Sequence, residues 1–201
     1  TIKKTIIIST GMSNLKEVQS YLNKYKNKKN IILLHCVSCY PAPLNILNLN
    51  NIQTIKNFFK LRVGFSDHSS GSKAAIIAVA KGAQVIEKHF TLSKSMKGPD
   101  HNASLNFKEF KNFVKKIRET EEILGSNEKK CLKEEKPMKY VSTKSIAVKK
   151  NLKIGEKITF NNIKLLRPNK GINIINLKKV LGTKLKKNKK INEHLYFKDV
   201  K

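Results

Sequence analysis

The sequence predicts an α/β chain in which four strand–helix units, half of an eight-fold β/α barrel, are followed by a small and mainly β domain. Three observations carry this. Short apolar runs alternate with longer runs of helical spacing up to about residue 125. A charged stretch, SNEKKCLKEEKPMK, then dissolves the pattern between Ser126 and Lys139. Beyond it the apolar residues fall into short alternating pieces separated by turn signals. The expected layout is therefore a first domain over 1–125, a linker over 126–141 and a β-rich domain over 142–201.

Thr5 to Thr10 (TIIIST) reads as a strand of the fully buried type, an unbroken apolar run with no alternation. Gly11 breaks it, and Asn14 with Glu17 three residues on makes a capping box for a helix to about Tyr25. Asn30 to Cys36 (NIILLHC) is a second buried strand. Pro41 and Pro43 interrupt the chain before a helix from about Leu49 to Phe59. Arg62 to Ser66 is the third strand, and Ser72 to Lys81 is an alanine-rich helix closed by Gly82. Gln84 to Phe90 is the fourth strand. Asn106 and Glu109 cap a long helix to Leu124, in which Phe107, Phe110, Phe113, Val114, Ile117 and Leu124 keep helical spacing up to Gly125. The second domain offers Ser145 to Val148, Ile158 with Ile163, Leu165 and Leu166, and Leu195 to Phe197, with Gly155, Gly171 and Gly182 at turns.

Two strands joined by a helix lie parallel with a right-handed crossover, so both end on the same edge of the sheet. His68 stands just past the third strand and His89 near the end of the fourth. Both imidazoles are thus expected on one C-terminal rim, where parallel α/β folds place their chemistry. His35 and His101 also fall at or after predicted strand ends, and several imidazoles on one rim point to a borderline divalent metal. His194, among charged residues of the second domain, reads as surface. Cys36 and Cys39 form a CxxC that offers a redox pair or half a zinc site. No second ligand pair accompanies it, and Cys131 stands alone in the linker. Asp67 and Asp100 are loop carboxylates on the same rim, suited either to turn chemistry or to accepting hydrogen bonds from sugar hydroxyls.

The formal net charge of +28 invites a nucleic-acid reading, but of 42 basic residues only Arg62, Arg118 and Arg167 are arginine. Base and phosphate recognition lean on the planar guanidinium, which lysine does not reproduce. Lys, Asn and Ile make up about two-fifths of the chain, as AT-rich codon usage would give without any function. No nucleic-acid partner is expected on this ground. The rival reading is a basic module for polyanions, whose binding would show a steep salt dependence. No run is long and apolar enough for a membrane span, and the N-terminal stretch is too short and strand-like for a signal peptide. Three cysteines, an odd number, suit a reducing cytoplasm. The absence of an initiator Met suggests that the chain starts inside a longer protein.

Several stretches together resemble one family, the sialic acid synthases, which make N-acetylneuraminic and legionaminic acids. They are IISTGM at 7–12, LLHCVSCYPAP at 34–43, GFSDHSSG at 64–71, IEKHFT at 86–91 and GPDHNASL at 98–105. AVKKNLKIGEKIT at 147–159 and LLRPNKGI at 165–172 resemble the antifreeze-like (SAF, β-clip) domain that ends such enzymes. The resemblance implies the C-terminal half of a TIM (β/α)8 barrel followed by a complete SAF domain. The implied reaction condenses phosphoenolpyruvate with an N-acetylated hexosamine, N-acetylmannosamine or a 6-deoxy diacetamido analogue. The products are a nonulosonic acid and phosphate.

The resemblance further implies a divalent metal, manganese with magnesium or cobalt as alternatives, held by His68 and His89. Tyr40 and Asp100 match sugar-contacting positions, and Ser66 one near phosphoenolpyruvate. Ser38 stands where some members carry Asn. Arg167 matches the residue that the SAF domain inserts into a partner subunit's site, which implies a domain-swapped homodimer. The lysines that bind phosphoenolpyruvate and the acidic residue for proton transfer belong to a preceding half, so no catalytic residue is assigned here and this fragment alone is expected to be inactive. GPDH favours the neuraminate and legionaminate branch over the pseudaminate one. Another metal-dependent aldolase or synthase on the same barrel is the remaining alternative.

Overall fold

The computed structural model describes residues 4–201, so the first three residues of the predicted first domain lie outside it. The chain divides after Ser126 into two compact units. In the first, β1 (Ile6–Ser9), β2 (Ile31–Cys36), β3 (Arg62–Asp67) and β4 (Ile86–Lys88) form one parallel sheet in the order β1-β2-β3-β4. The helices α1 (Leu15–Leu22), α2 (Asn51–Phe59) and α3 (Lys73–Ala80) connect successive strands, and α4 (Phe107–Leu124) follows the last. Sequential parallel strands with a helix after each are the connectivity of half a (β/α)8 barrel.

Local chemistry places the helix starts. Asn14 Oδ1 accepts from the Glu17 amide at 3.1 Å while the Glu17 carboxylate accepts from the Asn14 amide at 2.7 Å. The same reciprocal pair, Asn106 with Glu109, opens α4. The first helix stops at Leu22 rather than near Tyr25. There the amides of Lys24 and Tyr25 turn to the carbonyls of Tyr21 and Leu22, a tighter bonding pattern that closes the last turn. Gly82, at φ +90°, takes the left-handed conformation just past α3 that a side chain would resist.

The main core lies between the sheet and its helices. Ile31, Leu33, Val63 and Phe65 point to it from the strands and meet Leu22, Ile52, Ile55 and Ala78 from the helices. A smaller cluster of Ala75, Val79, Phe113 and Ile117 joins α3 to α4. β1 departs from the fully buried strand the sequence predicts. Its residues alternate, with Ile6 and Ile8 packed on the core and Ile7 50% exposed on the other face. The reason is position: β1 is an edge of this sheet, so Ile7 has a neighbour strand on one side only.

In the second unit the stretch read as linker contains a helix, α5 (Lys136–Ser142). Pro137 in its first turn and Glu135, whose carboxylate accepts from the Leu132 amide at 2.7 Å, start it among the lysines. β5 (Ser145–Val148) and β6 (Ile163–Leu166) pair antiparallel. Much of the remaining pairing is single bridges, and Leu195 to Phe197 leads into a 3-10 turn rather than a strand. A short helix, α6 (Leu177–Val180), completes the unit. Ile146, Val148, Leu152, Ile158, Leu185 and Leu195 form its core. His194 corrects the surface reading: it is half-buried because its main chain bridges Ala147 and its Nδ1 lies 2.8 Å from Ser145 Oγ. Burial and the nearby Lys170 and Lys189 lower its pKa.

A charge network ties the end of the chain. The enclosed Asp199 carboxylate meets Lys189 at 2.6 Å and Lys187 at 3.0 Å, and the Lys189 ammonium also donates to the His194 carbonyl. Burial pushes the Asp199 carboxyl up, but hydrogen bonds from Lys189 and Lys187 and from the Tyr196 amide outweigh it and hold the group below its usual range. A depressed folded pKa contributes stability that is full above the unfolded value near about 3.9 and is lost as pH falls through the folded one. Asp199→Asn, which leaves the nearly buried Lys189 without its counter-charge, is predicted to cost about 3–5 kcal/mol at neutral pH. Thermal melts at pH 7 and pH 3 check this: the gap between wild type and variant shrinks in acid.

Candidate metal and substrate site

The last register pair between β3 and β4 is Asp67 with Lys88. The next residues, His68 and His89, therefore leave the sheet side by side at its C-terminal rim. Their ring centroids are 5.4 Å apart and the planes cross at 70°. Tyr40, from the loop after β2, lies on both rings, 4.1 Å from His68 and 5.6 Å from His89. That loop is fixed to the end of β3 by the Ala42 amide, which donates to the His68 carbonyl at 3.0 Å. Asp100 lines the same small recess. Burial, then the nearby Cys36, Asp100 and Glu87, pushes the Tyr40 phenol above its usual pKa, so it stays a hydrogen-bond donor at neutral pH.

The chemistry of the two imidazoles follows from their partners. His68 Nδ1 lies 2.9 Å from the Val37 carbonyl, which only accepts, so in the neutral ring Nδ1 carries the proton and Nε2 keeps its lone pair. Among the described residues no group of three or more His, Cys, Asp or Glu side chains is arranged to hold a metal ion. His68 and His89 would offer such an ion two imidazole donors from this chain. That donor set fits a borderline divalent ion.

The remaining predicted residues separate into distinct places. Ser66 lies on the inner face of β3 and donates to Glu87 Oε1 at 2.6 Å, and Ser9 on β1 reaches the same oxygen at 3.4 Å. Sequence reasoning missed Glu87 and Ser9. The alternation of a strand held the signal, since Glu87 stands two residues before His89 and so shares its face. Ser38 lines a neighbouring open cleft of about 820 Å3 over the ends of β1 and β2, together with Met12 and Cys36. A Cβ on Gly11 would fall 2.3 Å from Ser38 Oγ. Arg167 belongs to the second unit, where it is exposed and its Nε donates to the Ser142 carbonyl at 2.7 Å.

Of the other candidates His35 needs correction, while the cysteine pair stays without the second ligand set that it lacks in the sequence. His35 is not on the rim with the others. It faces the helix side of β2, buried, with Nε2 2.7 Å from the Leu47 carbonyl, and stacks on Phe65 at 5.9 Å. Burial lowers its pKa and the Leu47 contact only partly offsets this, so it is a neutral structural residue. His101 braces its loop through Thr91 Oγ1 at 2.7 Å. Cys36 and Cys39 are both free thiols, with Cys36 Sγ 3.8 Å from His68 Nδ1 and Cys39 exposed. They assemble no second ligand set.

Residues 1–129 match the model of the NeuB family, and residues 143–201 match the SAF domain. The chain is 44% identical over 196 residues to the N,N'-diacetyllegionaminic acid synthase of Campylobacter jejuni, covering 96% of this chain and 59% of that protein. It is 38% identical over 196 residues to the pseudaminic acid synthase of the same bacterium, covering 96% and 57%. The chain thus spans well under two thirds of the length of these relatives. The structure of a candidate spore coat polysaccharide biosynthesis protein E from Chromobacterium violaceum superposes with a TM-score of 0.85 over the whole chain and 61% of that protein. At 21% identity this likeness shows the fold alone.

Gly64 controls how closely β4 approaches. A Cβ there would lie 2.3 Å from the Val85 carbonyl oxygen and 2.6 Å from Leu34 Cδ2. The Phe65 amide donates to that same carbonyl at 2.8 Å. Gly64→Ala is predicted to force β4 away from β3 and to cost about 1–3 kcal/mol. Denaturant unfolding of the variant measures the loss.

Proposed function

The chain belongs to the NeuB family, and on that premise we propose that it is part of a nonulosonic acid synthase that condenses phosphoenolpyruvate with an N-acetylated amino sugar. The observation that carries the reading is the convergence of His68, His89, Tyr40 and Asp100 on one rim recess. The substrate belongs to the neuraminate and legionaminate branch, in keeping with GPDH at 98–101. The chain works in the cytoplasm, where its three free cysteines stay reduced. Among the described residues no helix is long and apolar enough to cross a membrane.

His68 and His89 would hold a divalent ion, manganese in the first instance, through ring nitrogens, that of His68 oriented by the Val37 carbonyl. A bound divalent ion supplies Lewis-acid polarisation of the open-chain aldehyde of the sugar. Tyr40 offers a protonated phenol beside that aldehyde, and Asp100 accepts hydrogen bonds from sugar hydroxyls. Ser66 and Glu87 line the inner face on which phosphoenolpyruvate lies, with Ser38 in the adjoining cleft. The methylene carbon of phosphoenolpyruvate forms a bond to the aldehyde carbon, whose oxygen takes a proton. Water then adds to the oxygen-stabilised cation left at the neighbouring carbon and loses a proton, and as the C–O bond to phosphate breaks the new hydroxyl gives up its proton and becomes the keto group of the product. Arg167 completes the site of a partner subunit in a swapped homodimer, where a planar guanidinium suits a bidentate contact that lysine makes poorly.

In the full-length protein His68→Ala and His89→Ala are predicted to abolish condensation while leaving the fold intact. Phosphate release dependent on both substrates, measured in metal buffer, checks this, and full activity in both variants would refute the assignment. A second expectation concerns Arg167. Arg167→Ala and His89→Ala proteins are each weak alone, and mixing them under subunit exchange restores part of the activity. No rescue after verified exchange counts against the swapped arrangement.

A further inference from the structure

Beside the two imidazoles, on the wall of the same recess, lies a buried ion pair that the proposed chemistry does not use. The Lys88 ammonium is 3.1 Å from Asp67 Oδ2, with side chains 2% and 0% exposed. Apart from that ammonium, Asp67 Oδ2 has no partner among the described residues. Asp67 Oδ1 accepts from the Ser69 amide at 2.9 Å and from the Ser69 hydroxyl at 2.7 Å. The Lys88 ammonium donates to the Ser69 carbonyl as well. One cation thus grips the residues on either side of His68 and is itself the residue before His89.

Buried ion pairs are poor sources of stability, because desolvation of both charges consumes most of the attraction. Their best-attested use is to fix register. Backbone bonds from Gln84 to Val63 and from Phe65 to Val85, with the Ser66–Glu87 contact, set the ladder below the rim, and the ion pair is its last rung, since β4 has three residues and ends at Lys88. A slip by one residue would carry His89 to the opposite face of the sheet, away from His68. We propose that the Asp67–Lys88 pair is a positioning device that holds His68 and His89 in the mutual geometry a divalent ion requires. The inference rests on the metal reading given above and adds to it the pair of residues that sets affinity without touching the ion.

The test measures Mn2+ binding to the full-length protein from the EPR signal of free Mn2+, well below the melting temperature of each variant. The variants are Asp67→Asn, Lys88→Met and the double substitution. The double leaves no unpaired buried charge and so folds even where a single does not. Leu22→Ala, in the core beneath α1, is the control for general destabilisation. The expected result is an Mn2+ affinity weakened about tenfold or more in every ion-pair variant that keeps native near-UV circular dichroism. The control melts earlier but binds as the wild type does. A folded ion-pair variant with a smaller loss of affinity overturns the proposal and leaves the metal reading standing. Wild-type protein that binds no Mn2+ overturns both, and is told apart because the control then fails too.

Discussion

The parallel pairing of β3 with β4 is the constraint on which the rest of the site depends. A right-handed crossover through α3 returns the chain to the same edge of the sheet, and the register ends with Asp67 opposite Lys88. Everything functional at the rim is placed by that pairing. It sends His68 and His89 out together, sets Ser66 opposite Glu87 on the inner face, and gives the loop after β2 a surface on which Tyr40 comes to rest. Gly64 permits the approach, because a side chain there would meet the backbone of Val85. A close strand pair and a buried charge pair thus act at successive levels of one ladder.

The two faces of the sheet carry different loads. The helix face is packed, with Phe65, Leu33 and Ile31 enclosed against α1, α2 and α3, and its burial stabilises the unit at roughly 25 cal/mol per Å2 of apolar area. The inner face mixes apolar Ile32 and Leu34 with Ser9, Ser66 and Glu87. In a closed barrel such a face is filled from the opposite strands. Polar groups clustered toward the C-terminal ends of these strands are what a barrel enzyme presents to a substrate. The second unit is stabilised differently, by a compact apolar core with the Asp199 network at its edge.

Much of this was legible in the sequence, and the reasons are physical. The two Asn–Glu capping boxes are local, so four residues suffice to read each. The convergence of His68 and His89 follows from chain topology, which strand–helix–strand order dictates. What escaped reading depends on face and neighbourhood. His35 shares a strand end with Cys36, yet its parity turns it to the helices, where Phe65 and Leu47 meet it. Ile7 reads as core because an unbroken apolar run such as TIIIST looks the same whether its strand lies in the middle of a sheet or at an edge. Glu87 could be found from its two-residue spacing to His89, whereas Ser9 becomes visible only once the register is known. The helix α5 hides in a run of charge, and Lys189 with Asp199 stand ten positions apart with no local pattern to join them.

The central claim is that two imidazoles of this chain, brought together by one strand pair, hold the ion of the active site. Pulsed EPR on the Mn2+-loaded full-length protein tests it most directly, because nitrogen hyperfine couplings report which rings touch the metal. The account predicts couplings from two imidazole nitrogens, with one lost in His68→Ala and the other in His89→Ala. A spectrum without nitrogen couplings, or one unchanged in both variants, would contradict it.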